Sequence, residues 1–474
     1  VNYGVGNTRG NIRGFVNVQN IENRGFAAAS NTQLVSQLHS HTLNYSDELT
    51  PELSFNALAG YEYQDFNYKG YALAGFGFDV LDFDNTNALQ NSELETRLLT
   101  SFADPITEIQ SYFGRVNLNM SDKYLLTATV RADGSSKFGE NNRYGIFPSV
   151  AFAWNLHNED FLADAGFDEL KLRLGWGQTG NQQFPAGATQ ERFQLQPNGA
   201  FLENTANPDL RWESSTTINV GLDFALFDFA LAGTLEFFQR TTDDLLLDPF
   251  VSEPGPPVRA WQNIDGQVYN AGVELGLTAF IIDRDDLQFT LGGNIAVLQN
   301  EFRDFDGADL IVGQLFGQGT SETFVQVMRS GEPLNSFYTR EFTGLNADGL
   351  NTFTDDGSPQ LLGNPNADII AGITTGLTVG DFNFTTNWNG AFGHQLYNNT
   401  AMSVLAIGNL GNRNIDANLL GGDVQESTAN PITASSRYIE NGDFLKLSNA
   451  TVAYTIGDIE QFKNIRVSLT GQNL

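Results

Sequence analysis

A few groups of residues in this 474-residue chain have the types and spacing that chemistry would need. His39 and His41 stand two apart, so on an extended chain both imidazoles leave the same face and could grip a metal ion. No third ligand lies within reach along the sequence, and the plain alternative is a pair of strand-end residues. Asp304, Asp306 and Asp309 have the rhythm of a calcium loop, but the bidentate Glu that such a loop carries at its far end is missing, which favours a solvated loop. The glycine strings Gly75–Phe78 (GFGF) and Gly313–Gly319 (GQLFGQG) precede no helix, so the phosphate cradle of a helix N-terminus is not on offer. Trp261, Arg259, Phe250 and Phe316 fall in long polar segments, where an aromatic ring either stacks on a sugar face or packs on a neighbouring loop. Of these, Trp261, Arg259 and Phe316 are the candidate ligand-contacting residues. No Ser/His/Asp set stands in a motif context, and the carboxylates are spread at loop density, which gives no warrant for glycosidase chemistry. The expectation is therefore a protein that is not an enzyme, with no catalytic residue, cofactor or metal ligand.

Composition narrows the class. Twenty-five Lys and Arg against 56 Asp and Glu give a formal charge of −31, so phosphate backbones would repel the chain and a nucleic-acid partner is excluded. Solubility or a saline habitat explains the charge more simply than a cationic ligand does. With no Cys, there is neither a disulfide scaffold nor a thiolate metal site. No run approaches the roughly 18 apolar residues that a spanning helix needs, which leaves a membrane barrel open because barrel strands hide their apolar band by alternation. Val1–Gly10 lacks the basic start and apolar core of a signal peptide, so an exported protein would have its true start upstream.

The elements that must position those residues are strands. Ser111–Ser149 reads as strand, tight turn, strand, polar loop, strand. Gly114, Val116, Leu118 and Met120 share one face while Arg115, Asn117, Asn119 and Ser121 take the other. After the Asp122–Lys123 turn, Tyr124, Leu126, Ala128 and Val130 oppose Thr127, Thr129, Arg131 and Asp133. The same rhythm recurs in Leu53–Tyr63, Leu170–Gly177, where Lys171 and Arg173 mark a wet face, and Trp212–Leu226. About seventeen strands follow in this way, among them Asn11–Gln19, Leu34–Tyr45, Glu322–Arg329 and Asn335–Gly344. Every second connection is a few residues long, while the others run from about ten to over forty; a sandwich has no reason to sort its connections so, whereas a barrel with short turns inside and long loops outside does. Only the connector Leu156–Asp168 is long for its side. Tyr61, Tyr63, Tyr124, Trp154, Trp176, Trp212, Tyr269, Trp388 and Tyr454 lie near strand ends and suit interfacial girdles. A soluble propeller or sandwich adhesin is the competing architecture, and it would need no detergent for extraction.

At this point the residues resemble a known family. Ser111–Ser149 is similar to the barrel signature of SusC/RagA-type TonB-dependent outer-membrane transporters. LKLRLGWGQTGNQ (Leu170–Gln182), NPDLRWESSTTINVGLDF (Asn207–Phe224), NIDGQVYNAGVEL (Asn263–Leu275), GEPLNSFY (Gly331–Tyr338), FLKLSNATVAYTI (Phe444–Ile456) and VSLTGQNL (Val467–Leu474) follow in family order. The acidic stretch usual before Ile369 is degraded here to NADGLNTFTDDGS (Asn346–Ser358), which undercuts any ion held there. The resemblance implies an all-β fold, a transmembrane antiparallel β-barrel. Residues 1–474 would form a partial barrel domain of about 17 of about 22 strands, without the plug, the first strands and the last strand. It implies the outer membrane of a Gram-negative, Bacteroidetes-like bacterium. It also implies active import of oligosaccharides or peptides, with a SusD-like surface lipoprotein as partner and TonB as the source of energy. A passive porin-like or structural barrel without an energised gate is the alternative.

Overall fold

In the computed structural model, residues 2–14, 26–78, 88–196, 199–248, 250–251, 258–317, 320–459 and 461–474 are described. A single 16-stranded sheet dominates, and fifteen of its strands pair antiparallel in an order that follows the chain. They are β1 (Asn2–Gly14), β2 (Phe26–Thr50), β3 (Leu53–Phe76), β4 (Thr107–Met120), β5 (Tyr124–Ser135), β6 (Tyr144–Asn155), β7 (Phe167–Asn181), β8 (Glu213–Leu226), β9 (Leu231–Asp243), β10 (Gln267–Arg284), β11 (Leu287–Arg303), β12 (Ile369–Val379), β13 (Phe382–Phe392), β14 (Phe444–Ile459) and β15 (Phe462–Gln472). The sixteenth, Leu98–Ala103, continues the ladder of β4 along the upper half of β3.

The expected strand count needs correcting. Glu322–Arg329 and Asn335–Gly344 are not wall strands, since Phe324–Met328 and Ser336–Arg340 belong to a separate four-stranded sheet, and β11 pairs directly with β12. The reason is length: five-residue strands cannot cross a bilayer that takes about 9–11 tilted residues. Removing a pair of strands leaves the alternation of short and long connections intact. The expected Asn11–Gln19 strand is displaced to Asn2–Gly14, and residues 15–19 lie outside the described chain.

The short connections are built for the right-handed twist of their strands. Between β4 and β5, Ser121 and Asp122 both have positive φ (55° and 54°), the signature of a type I′ turn, closed by Lys123 N–H donating to Met120 O at 3.1 Å. Gly380, with φ of 55°, starts the two-residue turn between β12 and β13. The exceptional connector between β6 and β7 is two consecutive 3₁₀ turns, Leu156–Asn158 and Asp160–Leu162.

Each strand has an oily and a wet face, and the pairing register joins the oily residues into a continuous band. One row runs Phe55, Leu118, Leu126, Phe152, Leu174, Val220, Phe237, Val273, Val297 across nine neighbouring strands. Among the described residues no second layer covers it: Leu126, Leu174, Val220, Phe237, Val273 and Val297 are all exposed. A contiguous apolar surface this wide is foreign to soluble monomers and natural against lipid. The buried clusters lie elsewhere, in the loops of the long-connection end. Phe138, Phe184, Ala188, Leu210 and Leu246 form one, and Leu245, Ile264, Phe302 and Met328 the other.

Aromatic and polar groups rim the band. At the long-loop end, Gln110 donates to the hydroxyls of Tyr61 and Tyr112 and accepts from Tyr144, while Tyr63 donates to Glu108 at 2.9 Å. At the short-turn end, Tyr124 stacks on Trp154 at 5.9 Å and Phe382 meets Tyr454 at 4.7 Å. From Tyr112 to Met120 is eight residue steps, about 27 Å along the strand and about 20 Å in height at a tilt of about 40°, close to an apolar band about 25 Å tall. Trp212 departs from the girdle expectation: it packs on Phe138 at 4.7 Å in the first loop cluster.

The two faces predict opposite tolerances. Val220→Arg on the oily face should lower the unfolding free energy in lipid vesicles by about 2–4 kcal/mol. Ala151→Gln on the wet face should cost less than about 1 kcal/mol. Equal costs in urea titrations would remove the assignment of faces.

Candidate functional site

The wet face of the wall is a polar lining held by cross-strand hydrogen bonds. Asn56 donates to Ser46 Oγ at 2.7 Å, Asn117 donates to Asn56 at 3.3 Å and Thr127 donates to Asn117 at 2.9 Å, so β2 to β5 share one chain of amides and hydroxyls. Asn387 and Asn449, Thr374 and Asn387, and Thr451 and Thr470 repeat the device on β12 to β15. Such groups present donors and acceptors to water or cargo without fixing charge of one sign.

Two arginines punctuate this lining. Arg131 is held by Glu62 at 3.1 Å and Asp133 at 2.7 Å, with its guanidinium 5.2 Å from the Phe113 ring centroid. Arg173 makes a bidentate fork with Asp223, at 2.8 and 2.9 Å, and a third bond to Glu236 at 3.1 Å, which also accepts from Asn219. Gly221, opposite Arg173, leaves room for this fork: a Cβ there would sit 2.7 Å from a guanidinium nitrogen and push it aside. The sequence signal for this cluster was legible in the alternation of Lys171 and Arg173 with leucines; its carboxylate partners, 50 and 63 residues away, were not.

Long loops roof the other end. Trp261, a candidate ligand residue, lies against the first loop cluster, 6.0 Å from Phe184 between ring centroids, with its carbonyl accepting from Asn207. Phe316 stands free, 75% exposed, its carbonyl held by Asn399 Nδ2 at 2.8 Å. The backbone of Arg259 pairs with Phe250 and Asn204, and its side chain, like that of Phe250, lies outside the described atoms. Pro254–Pro257 and the end of GQLFGQG also lie outside them. Lys137 is pushed below the usual lysine range by burial, and its ammonium donates to the carbonyls of Gln182 and Phe184.

The other chemistry-bearing groups take structural places. His39 and His41 sit on β2 opposite Tyr63 and Tyr61, on the girdle side of the wall. Asp309 is engaged by Arg329, which holds its carboxyl below the usual range. Among the described residues, no group of three or more His, Asp or Glu side chains is arranged to hold a metal ion.

At the short-turn end, Glu159 of the exceptional connector gathers three donors: Tyr124 at 2.6 Å, Lys123 at 2.9 Å and Trp154 at 3.0 Å. The Tyr124 hydrogen bond first, then those of Lys123 and Trp154, lower its pKa to about 2. A carboxyl depressed from 4.5 to about 2 lends its full stabilisation above pH 4.5 and loses it as pH falls between those values. Glu159→Gln should therefore flatten the pH dependence of unfolding between pH 4.5 and 2, read by tryptophan fluorescence, while a parent-like slope would free Glu159 of this role.

An apolar girdled band outside, a polar wall inside and a loop roof at one end define a transmembrane β-barrel wall. The chain belongs to the TonB dependent receptor-like β-barrel family, which it matches over residues 2–474. It is an outer-membrane protein of that family. It is 29% identical to the TonB-dependent receptor P3 of Formosa agariphila over 90% of this chain and 47% of the relative. To the TonB-dependent receptor SusC of Bacteroides thetaiotaomicron it is 29% identical, over 88% of this chain and 44% of SusC. The chain thus spans about half the length of the curated relatives it matches. Among solved structures, the RagAB peptide transporter superposes with a TM-score of 0.81 at 22% identity, covering 99% of this chain and 55% of that one. That likeness establishes the fold.

Proposed function

We propose that the protein is the barrel part of an active importer. In this reading it takes up oligosaccharides or peptides together with a SusD-like surface lipoprotein, energised by TonB through a plug domain and closed by further strands outside residues 1–474. The observation that carries the reading is the polar wall with its paired arginines beneath the long loops, in a chain whose relatives are named TonB-dependent receptors and include SusC. The two edge strands support the missing-strand part. Among the described residues, β1 and β15 each pair on one side only, and open backbone edges in hydrocarbon are costly. No catalytic role is proposed for the wall.

Within the roof, Phe316 offers an open ring for stacking, whereas the partly covered Trp261 contributes to loop packing. Arg259 is proposed as a further ligand-contacting residue of the outer loops. Phe316→Ala in the whole protein should weaken ligand binding by about 10-fold, the order expected for one lost stacking contact, and leave thermal stability unchanged. Trp261→Ala should destabilise the roof by about 3 kcal/mol. The import claim is tested by uptake of labelled oligosaccharide and peptide pools into cells with the intact gene, a gene deletion and a TonB deletion. Loss of uptake in both deletions supports active import. Uptake that survives loss of TonB turns the reading to the passive barrel.

A further inference from the structure

The outer segments 304–368 and 393–441 leave the wall from different hairpins, yet two seams join them. Along the first seam, Phe342 N–H donates to Ser436 Oγ at 2.9 Å, Arg340 and Ser435 form a parallel bridge, Ser427 N–H donates to Gly349 O at 3.0 Å and Asn351 N–H donates to Asn430 Oδ1 at 3.0 Å. The approach is backbone against backbone at Gly349, where φ is 74° and a Cβ would run into the Gln425 carbonyl. Along the second seam, Gln395 N–H donates to Asn364 O at 2.9 Å, Asn364 N–H donates to Gln395 Oε1 at 3.2 Å, and Asn399 carries the Phe316 carbonyl.

The first seam is centred on a charged knot. The Arg437 guanidinium donates to Glu426 Oε2 at 2.6 Å and Oε1 at 3.0 Å, and reaches across to Asn351 Oδ1 at 2.9 Å. Asn430 ties both sides, donating to Glu426 at 2.6 Å and to Asn351 at 3.1 Å. The Phe342 ring lies 5.1 Å from the guanidinium carbon, and the Glu426 and Arg437 side chains are only 6% and 16% exposed. Glu426, Asn430 and Arg437 all belong to the second segment, and the knot crosses to the first through Asn351; the Arg329–Asp309 pair, whose side chains are 33% and 37% exposed, lies within the first segment.

We infer that segments 304–368 and 393–441 form one cooperative panel of the outer mouth, latched where Arg437, held in place by Glu426, meets Asn351, so that they order and open together. A desolvated guanidinium that loses its carboxylate is penalised far more than an exposed one, and here it is shared between the two segments. The cost of unlatching therefore falls on both at once. Any group that touches one segment biases the other by the same coupling. This inference is independent of which cargo the barrel carries.

Hydrogen–deuterium exchange of the whole protein in detergent tests the panel, with the shifted gel mobility of unheated samples confirming a folded barrel. Glu426→Gln should speed exchange of residues 342–353 and 425–438 together by about 100-fold, the order set by an unpaired buried charge, and leave β12 protected. Asp309→Asn should leave both stretches at the parent rate. Faster exchange confined to 425–438, or no change in either, overturns the inference. A second variant covers a collapsed loop: Asn351→Cys with Asn430→Cys, oxidised, should return both stretches of the Glu426→Gln protein to slow exchange until reductant is added. Exchange that stays fast in both with the bridge closed overturns it as well.

Discussion

Backbone groups that cross hydrocarbon have no water to bond, so each strand of this wall depends on its neighbours for every amide and carbonyl. That one constraint sets the uninterrupted antiparallel order of the fifteen strands, the in-register ladders and the tight turns at one end. It also decides where irregular structure is allowed. Short strands, 3₁₀ turns and left-handed residues gather in the loops and turns beyond the apolar band, where water or loop packing satisfies the chain.

The same constraint inverts the usual location of the core. The strands contribute a lipid face and a wet face, and neither is a packed interior. Among the described residues, the two buried clusters lie at the long-loop end, where Leu210 and Phe138 of the loops and Phe302 at the end of β11 are almost completely buried. The roof is consequently a small globular structure set on a barrel rim, with its own cores, ion pairs and sheets.

Charge follows the same division. Along the wall, Arg131 and Arg173 are each met by two carboxylates, Glu62 and Asp133 for the first and Asp223 and Glu236 for the second. The large negative excess of the chain is met mainly where acidic loops and turns face water, which agrees with solubility as its simplest explanation. The acidic residues near 304–309 illustrate the point: Asp309 is spent on Arg329 in an ion pair of the loop sheet.

The amino-acid order alone determined the wall. Alternation of period two fixes which side chain faces lipid, and alternating short and long connections fix the direction of each strand, because both are local consequences of backbone geometry. Val116 against Asn117 and Leu174 against Arg173 could be assigned without coordinates for that reason. Only the tertiary structure decided the roof. Phe324–Met328 has a strand's alternation yet belongs to a loop sheet, since its neighbours and its length, not its pattern, determine whether it spans. Trp212 looks like a girdle aromatic but packs on a loop cluster, Trp261 lies partly buried against the same cluster, and Arg437 meets Asn351 across 86 residues of chain. Contacts between distant irregular segments leave no periodicity behind, so no local rule could have foretold them.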